Sequence, residues 1–144
     1  MPKVKKEAKV LVGGCFDILH FGHISFLKKA KSLGNYLVVA LESDKNVKRL
    51  KGTDRPIHSQ SQRHEILISL EFVDEVINLP DNMSDTDYLE LVKNIRPAII
   101  AVTQGDPILA KKQKQAKAVR AKVVEIANIK VPSTSKIAKL LKLE

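Results

Sequence analysis

Hydrophobic positions along the chain follow two alternating rhythms. Runs rich in apolar or β-branched residues occur at Ala8 to Val12, Tyr36 to Leu41, Val73 to Leu79, Pro97 to Val102 and Lys122 to Ala127. They are continuous at Tyr36 to Leu41 and Pro97 to Val102 and interrupted by charged residues elsewhere. Such runs predict strands of a parallel sheet covered on both faces. Between them apolar residues recur at helical spacing. Ile24, Phe26, Leu27, Ala30 and Leu33 form the first such face, stopped by Gly34. Ser59 to Phe72 opens on a Ser59/Gln62 capping box and carries Ile66, Leu67 and Leu70. Ser84 to Ile95 has acids in its first turn, which complement the helix dipole. Ile108 to Arg120 is a strongly basic helix, and Pro132 to Ile137 begins a closing helix with hydroxyls at its cap. Strand and helix thus alternate five times, the pattern of a doubly wound α/β sheet.

One segment breaks the alternation. Lys45 to Pro56 holds five basic residues and is punctuated by Gly52 and Pro56, so it reads as a loop at the carboxyl end of a strand. Open α/β sheets bind ligands at such edges. A solvated charged loop is the alternative reading.

At 144 residues the chain predicts one domain, residues 1–144, with a core that needs no disulfide. A single cysteine fits a reducing compartment. No apolar run reaches the roughly 18 residues of a membrane span, and Met1 to Lys9 lacks the apolar centre of a signal peptide. A soluble cytoplasmic protein is expected, with no membrane partner. The formal charge of +9 asks for anionic ligands, but aromatic residues make up only 4% and no nucleic-acid motif is present. Phosphorylated small molecules therefore fit better than a specific nucleic acid. The charges of Ile108 to Arg120 spread around the helix and read as a solvated exterior.

Chemistry concentrates where the first strand meets the first helix, in Val12-Gly13-Gly14-Cys15-Phe16-Asp17-Ile18-Leu19-His20-Phe21-Gly22-His23. A strand, a glycine turn and a helix aim backbone N–H groups and a positive helix end at one point, which suits an anion. His20 and His23 fall on one side of the first helical turn. Two zinc ligands are a second reading, although no cysteine or histidine elsewhere completes a site at recognisable spacing. A Walker loop is excluded because no Gly-Lys-Ser/Thr follows the glycines, and the acidic run Asp81 to Asp87 lacks the glycine and spacing of a calcium loop.

Gly14, Phe16, Asp17, His20, Gly22 and His23 together resemble the HxGH signature of the nucleotidyltransferase superfamily, which includes cytidylyltransferases, ADP-heptose synthase and archaeal FAD synthetase. The resemblance implies a Rossmann-like five-stranded parallel sheet of order 3-2-1-4-5. It also implies transfer of a nucleotidyl group from CTP or ATP to a small phosphorylated acceptor, with release of pyrophosphate. By it, His20 and His23 hold the triphosphate and stabilise the transition state. Lys48 joins them as a catalytic cation, because the run around it is similar to the Lys-Arg-Leu-Lys-Gly run of ADP-heptose synthases. Arg63 does so from the Gln-Arg position of its helix, where a cation in the first turn runs against the dipole and suggests an outside partner; a plain surface arginine is the alternative. Gly13, Gly14, Cys15, Phe16, Asp17 and Gly22 would line the nucleotide, and Lys51 and Arg55 the acceptor. Gly105 and Asp106 would line the acceptor or ribose site, or else form only a turn. Ser133, Thr134 and Ser135 resemble the hydroxyl motif that closes the family site. Mg²⁺ is the implied cofactor, bridging phosphates without a protein-only site, and a homodimer is possible within the family.

Asn128 and Val131 stand where cytidylyltransferases have an arginine and a glycine, and Cys15 stands where the family often has threonine. CTP and ATP therefore both remain open. The lysine-rich loop favours a sugar- or polyol-phosphate acceptor such as glycerol 3-phosphate or a heptose phosphate, with FMN, as in archaeal FAD synthetase, the alternative. A reading of another class is a non-catalytic nucleotide- or nucleic-acid-binding module on the same fold.

Overall fold

A computed structural model of the protein describes residues 7–129, Lys136 and residues 139–141. Five strands, β1 (Lys9–Gly14), β2 (Tyr36–Leu41), β3 (Glu75–Asn78), β4 (Ile99–Thr103) and β5 (Lys122–Ile126), form one parallel sheet in the order β3-β2-β1-β4-β5. The expected order is the observed one. Helices α1 (Phe21–Ser32), α2 (Asp44–Lys51), α3 (Gln60–Ile68), α4 (Asp85–Ile95) and α5 (Leu109–Ala118) fill the connections.

The central strands β1, β2 and β4 are buried on both sides, which is why β2 reads as an unbroken apolar run. The edge strands β3 and β5 carry charged residues at exposed or partly exposed positions. On one side Val10, Val12, Leu37 and Val39 pack with Leu27 and Ala30 of α1 and Leu67 of α3. On the other Leu11, Val38 and Ile100 pack with Val92 of α4 and Ala116 of α5. Removing each such Val, Leu or Ile side chain from water contributes about 1.5–3 kcal/mol. No helix among the described residues is long and apolar enough to cross a membrane.

Three expectations need correction. The basic segment after β2 is not all loop: its first part is α2. Ser43 caps it by accepting from the Asn46 N–H at 3.1 Å, and Asp44 lies in the first turn. Lys48, Arg49 and Lys51 lie in the last turn, where cations suit the dipole. Gly52 ends it at φ 111°, a conformation open to glycine. Only Val47 of this helix is buried, so charge density hid the periodicity. The helix expected over Ser59 to Phe72 starts on its capping box as anticipated but ends at Ile68. Its inward face is Arg63 and Leu67, while Ile66 is exposed. Finally, β1 runs on through both glycines instead of ending at Val12.

Candidate functional site

The chain between β1 and α1 is fixed by mutual packing of its own residues. A Cβ on Gly14 would lie 2.8 Å from the Phe16 ring, so only glycine lets that ring fold back into the core. Phe16 is buried, at φ 46°, and meets the His23 ring edge-on with centroids 5.6 Å apart. Asp17 is also buried. Its carboxylate accepts from the Ile57 and His58 N–H groups, each at 3.0 Å or closer, and from Arg55 Nε at 2.6 Å. Burial works to raise the Asp17 pKa, but the His58 and Ile57 N–H groups and Arg55 outweigh it and hold the carboxyl below its ordinary value. Phe16, Asp17 and Arg55, expected to touch ligands, are instead spent on folding the motif against residues 55–58. Arg55 is 2% exposed and is not placed to bind an acceptor.

The two histidines form a reciprocal cap at the start of α1. His20 is the N-cap, and its Nδ1 accepts from the Gly22 N–H at 3.0 Å. His23 Nδ1 accepts in turn from the His20 N–H at 3.2 Å. A neutral imidazole with Nδ1 accepting must carry its proton on Nε2. Both rings are kept neutral. Burial lowers the His20 pKa, and burial together with the charges of His20 and Lys51 pushes His23 down to about 4. The ring centroids lie 4.0 Å apart. The result is a pair of fixed Nε2–H donors at a helix N-terminus, a geometry made for oxyanions. A zinc reading finds no support among the described residues, where no group of three or more His, Cys, Asp or Glu side chains could hold an ion.

Arg63 is fully buried. Its Nε donates to the His58 carbonyl at 3.0 Å, Nη1 to the carbonyls of Cys15 at 2.7 Å and Glu42 at 3.0 Å, and Nη2 to Asp44 Oδ1 at 2.7 Å. The cation in the first turn of α3 does have a partner, as the dipole argument required, but the partner lies within the protein. Arg63 thus fastens the ends of β1 and β2 to α2 and is walled off from solvent, so direct phosphate contact is corrected to a positioning role.

Beside this junction opens a cavity of about 780 Å³ over the carboxyl ends of the strands. Gly13, Gly14 and Cys15 form one wall, and Leu79, Met83, Leu91 and Ile100 give an apolar floor. Lys45, Arg49, Lys111 and Lys112 stand around it. The location is the one expected for doubly wound sheets, on the strand ends next to the point where the strand order reverses. Lys51 lies close enough to act on both the Cys15 thiol and the His23 ring. Lys48 is not among the residues lining the cavity and instead borders an adjacent groove with Asp44, Thr53 and Asp54. Asp106 is engaged as a turn residue, accepting from the Ile108 N–H at 2.8 Å and from Lys112 Nζ at 2.7 Å, with Gly105 beside it at φ 79°. Burial pushes the Cys15 thiol up, which leaves it a weak nucleophile. Ser133, Thr134 and Ser135 lie outside the described residues.

A family model described as cytidylyltransferase-like matches residues 11–139. The chain belongs to this family. It is similar to the bifunctional protein HldE of Campylobacter fetus, at 49% identity over 100 residues. That match spans 68% of this chain and 21% of HldE, so the chain corresponds to about a fifth of that relative. It is similar to the FAD synthase of Thermococcus sibiricus at 41% over 141 residues, 95% of this chain and 92% of that enzyme. Among solved structures, the lipopolysaccharide core biosynthesis protein of Thermoplasma volcanium superposes with a TM-score of 0.70 at 28% identity, covering 88% of this chain and 99% of that one.

Glu42, Asn46 and Tyr88, which meet in the cavity, were not singled out by the sequence. The available signal was the position of Glu42 directly after a strand beside β1, where the sheet-edge rule places ligands.

Proposed function

We propose that the protein is a nucleotidyltransferase that moves an adenylyl group from ATP to the phosphate of FMN. The observation that carries nucleotidyl transfer is the reciprocal His20/His23 cap, which presents two neutral Nε2–H donors at the N-terminus of α1. A phosphate oxygen of the acceptor attacks the α-phosphorus of the nucleotide. The new oxygen–phosphorus bond forms as the bond to the bridging oxygen breaks, and pyrophosphate leaves with that electron pair. The residues act by holding the groups in line and by meeting charge that grows on non-bridging oxygens. The Nε2–H groups of His20 and His23 donate to those oxygens. Lys51 adds positive potential at the same point, and the positive end of the α1 dipole reinforces it. No side chain is required as a nucleophile.

Mg²⁺ fits this site only as a substrate-borne ion: the described residues offer no cluster to cage it, and it binds readily through phosphates and water. When bound, it neutralises charge on the departing pyrophosphate.

FMN is favoured as acceptor by the apolar floor of the cavity, which suits a flat ring system better than a sugar alone. The near full-length match to an FAD synthase points the same way. A second reading, a heptose phosphate acceptor, rests on the higher identity to HldE, 49% over 100 residues of the chain. The test is pyrophosphate release with ATP or CTP against FMN, heptose 1-phosphate and glycerol 3-phosphate. Turnover with ATP and FMN, lost on His20→Ala by a factor on the order of 10²–10³, is the expected result. Near-normal kcat in that variant overturns the mechanism, and turnover with a sugar phosphate alone overturns the acceptor.

A further inference from the structure

One group in the cavity is unused by the transfer chemistry and out of keeping with an anionic ligand. Glu42 follows β2 directly, and its N–H donates to the Gly14 carbonyl at 3.0 Å, so its backbone is tied to the nucleotide motif. Its half-buried carboxylate lines the cavity. Asn46 Nδ2 donates to one carboxylate oxygen, and the Tyr88 hydroxyl reaches both, at 3.2 and 3.4 Å. These two contacts come from α2 and α4, on opposite sides of the cavity, and fix the carboxylate between them. Of the α2 cations that line the cavity, Lys45 and Arg49, Arg49 gives its Nε and Nη2 to Asn46 Oδ1, at 3.0 and 2.6 Å. Among the described residues no lysine, arginine or histidine forms an ion pair with Glu42.

A carboxylate with no ion-pair partner disfavours direct contact with phosphate, whose charge the Lys45, Arg49, Lys111 and Lys112 side chains of the cavity suit better. It also has lone pairs left after two donors, since a carboxylate offers about four acceptor positions. Burial, then the charge and hydrogen bond of Glu42, pushes the Tyr88 pKa up to about 12, so the hydroxyl keeps its proton and remains a donor to Glu42. The whole arrangement holds an acceptor-only group facing a cavity. Its complement is a ligand hydroxyl.

We propose that Glu42, oriented by Asn46 and Tyr88, is a specificity-determining residue that accepts a hydrogen bond from a hydroxyl on the carbon chain of the phosphorylated acceptor. This inference rests on the reading of the cavity as the acceptor site. It does not depend on FMN being that acceptor, because the ribityl chain of FMN, heptose phosphates and glycerol phosphate are all hydroxylated carbon chains next to a phosphate.

The test pairs a ligand change with a protein change. Wild type, Glu42→Gln and Glu42→Ala are assayed with FMN and with an isoalloxazine carrying a 5-phosphopentyl chain, which has the ring and the phosphate but no hydroxyls. In wild type the missing hydroxyls are expected to raise the acceptor KM about 10- to 100-fold, the range for a hydrogen bond to a charged group. Glu42→Gln and Glu42→Ala are expected to raise the KM for FMN by a similar factor, to leave the KM for ATP unchanged, and to discriminate little between the two acceptors. Tyr88→Phe, which frees the carboxylate to turn, is expected to lose part of the discrimination. A merely structural role would weaken both acceptors in parallel, and that result overturns the proposal. If wild type ignores FMN and uses a sugar phosphate, the FMN reading falls. The same comparison, made with that sugar phosphate and its deoxy analogue, then decides the role of Glu42. If no phosphorylated acceptor is turned over, both fall.

Discussion

Arg63 offers the sharpest separation between a ligand contact and an architectural one. Replacing it by alanine removes a fully buried guanidinium and leaves the carbonyls of His58, Cys15 and Glu42 without its N–H donors. Each orphaned buried acceptor costs about 1–3 kcal/mol. Three would total about 3–9 kcal/mol, and relaxation and entering water bring this toward the 3–5 kcal/mol seen when one partner of a buried ion pair is removed. Asp44 adds little, since its side chain is 51% exposed and screened by solvent. A destabilisation of about 4 kcal/mol follows, against a total of about 5–15 kcal/mol for a domain. Arg63→Lys keeps one charge but loses the planar fork that spans three carbonyls, and about 2 kcal/mol is expected.

Urea unfolding followed by circular dichroism measures this directly. With a slope of about 2 kcal/mol per molar, Arg63→Ala should move the midpoint down by about 2 M and Arg63→Lys by about 1 M, with the slope itself unchanged. Because Arg63 holds the chain on both sides of the cavity entrance, the folded fraction of Arg63→Lys should show altered KM for nucleotide and acceptor together. Unchanged stability in both variants, with only the nucleotide KM raised tenfold or more, would refute the reasoning and return Arg63 to the phosphates.

Three further outcomes can be checked. His23, held neutral with a pKa pushed down to about 4 against an ordinary 6.5, binds fewer protons in the folded than in the unfolded chain between those values; its contribution to stability is full above about pH 6.5 and lost as pH falls toward 4, while transfer by the folded enzyme fails only as pH nears 4, and an NMR titration of the ring giving a pKa near 6.5 would contradict this. Asp17→Asn puts an amide N–H₂ where three donors converge and should destabilise by about 2–4 kcal/mol, seen as a lowered melting temperature; a melting temperature within 2 °C of wild type, on the order of 0.5 kcal/mol, would mean that the strap at residues 55–58 is held by other contacts. Cys15, half-buried with its thiol pushed up by burial, should react with iodoacetamide at pH 7.5 at least tenfold more slowly than free cysteine, and Cys15→Ala should retain transfer; rapid alkylation would show a thiolate that this environment does not support.

The elements that read correctly from sequence are those whose cause is local. β2 is apolar throughout because helices cover both its faces, and the Ser59/Gln62 and Ser84/Asp87 caps form because each pair satisfies its own helix end. The motif at His20 and His23 is legible for the same reason: two imidazoles at i and i+3 meet on one turn whatever the rest of the chain does. What the sequence concealed depends on convergence of distant segments. Asp17 and Arg55 are 38 positions apart, so nothing in either neighbourhood shows that each is spent on the other. α2 was hidden by a different cause, since its eight residues carry only Val47 and Leu50 as apolar positions among charged and polar ones, too short a stretch to establish a period.

Arg63 shows how far local reasoning reaches and where it needs the fold. A cation at the unfavourable end of a helix suggested an outside partner, whereas the partners observed are carbonyls and a carboxylate of the chain itself. Which partner it has is decided by distance in space. The carboxyl ends of β1 and β2 carry carbonyls that no further strand residue can satisfy, and α3 enters the fold directly across from them. A buried guanidinium with five donors in a fixed fork answers that demand better than it could serve a mobile phosphate. Glu42 follows from the same geometry in reverse. With its backbone carbonyl taken by Arg63 and its N–H by Gly14, the backbone at Glu42 is immobilised, and a side chain projecting from it into a cavity is pre-positioned before any ligand arrives. Pre-positioned acceptors discriminate between hydroxyl and hydrogen because the site cannot relax around the missing partner.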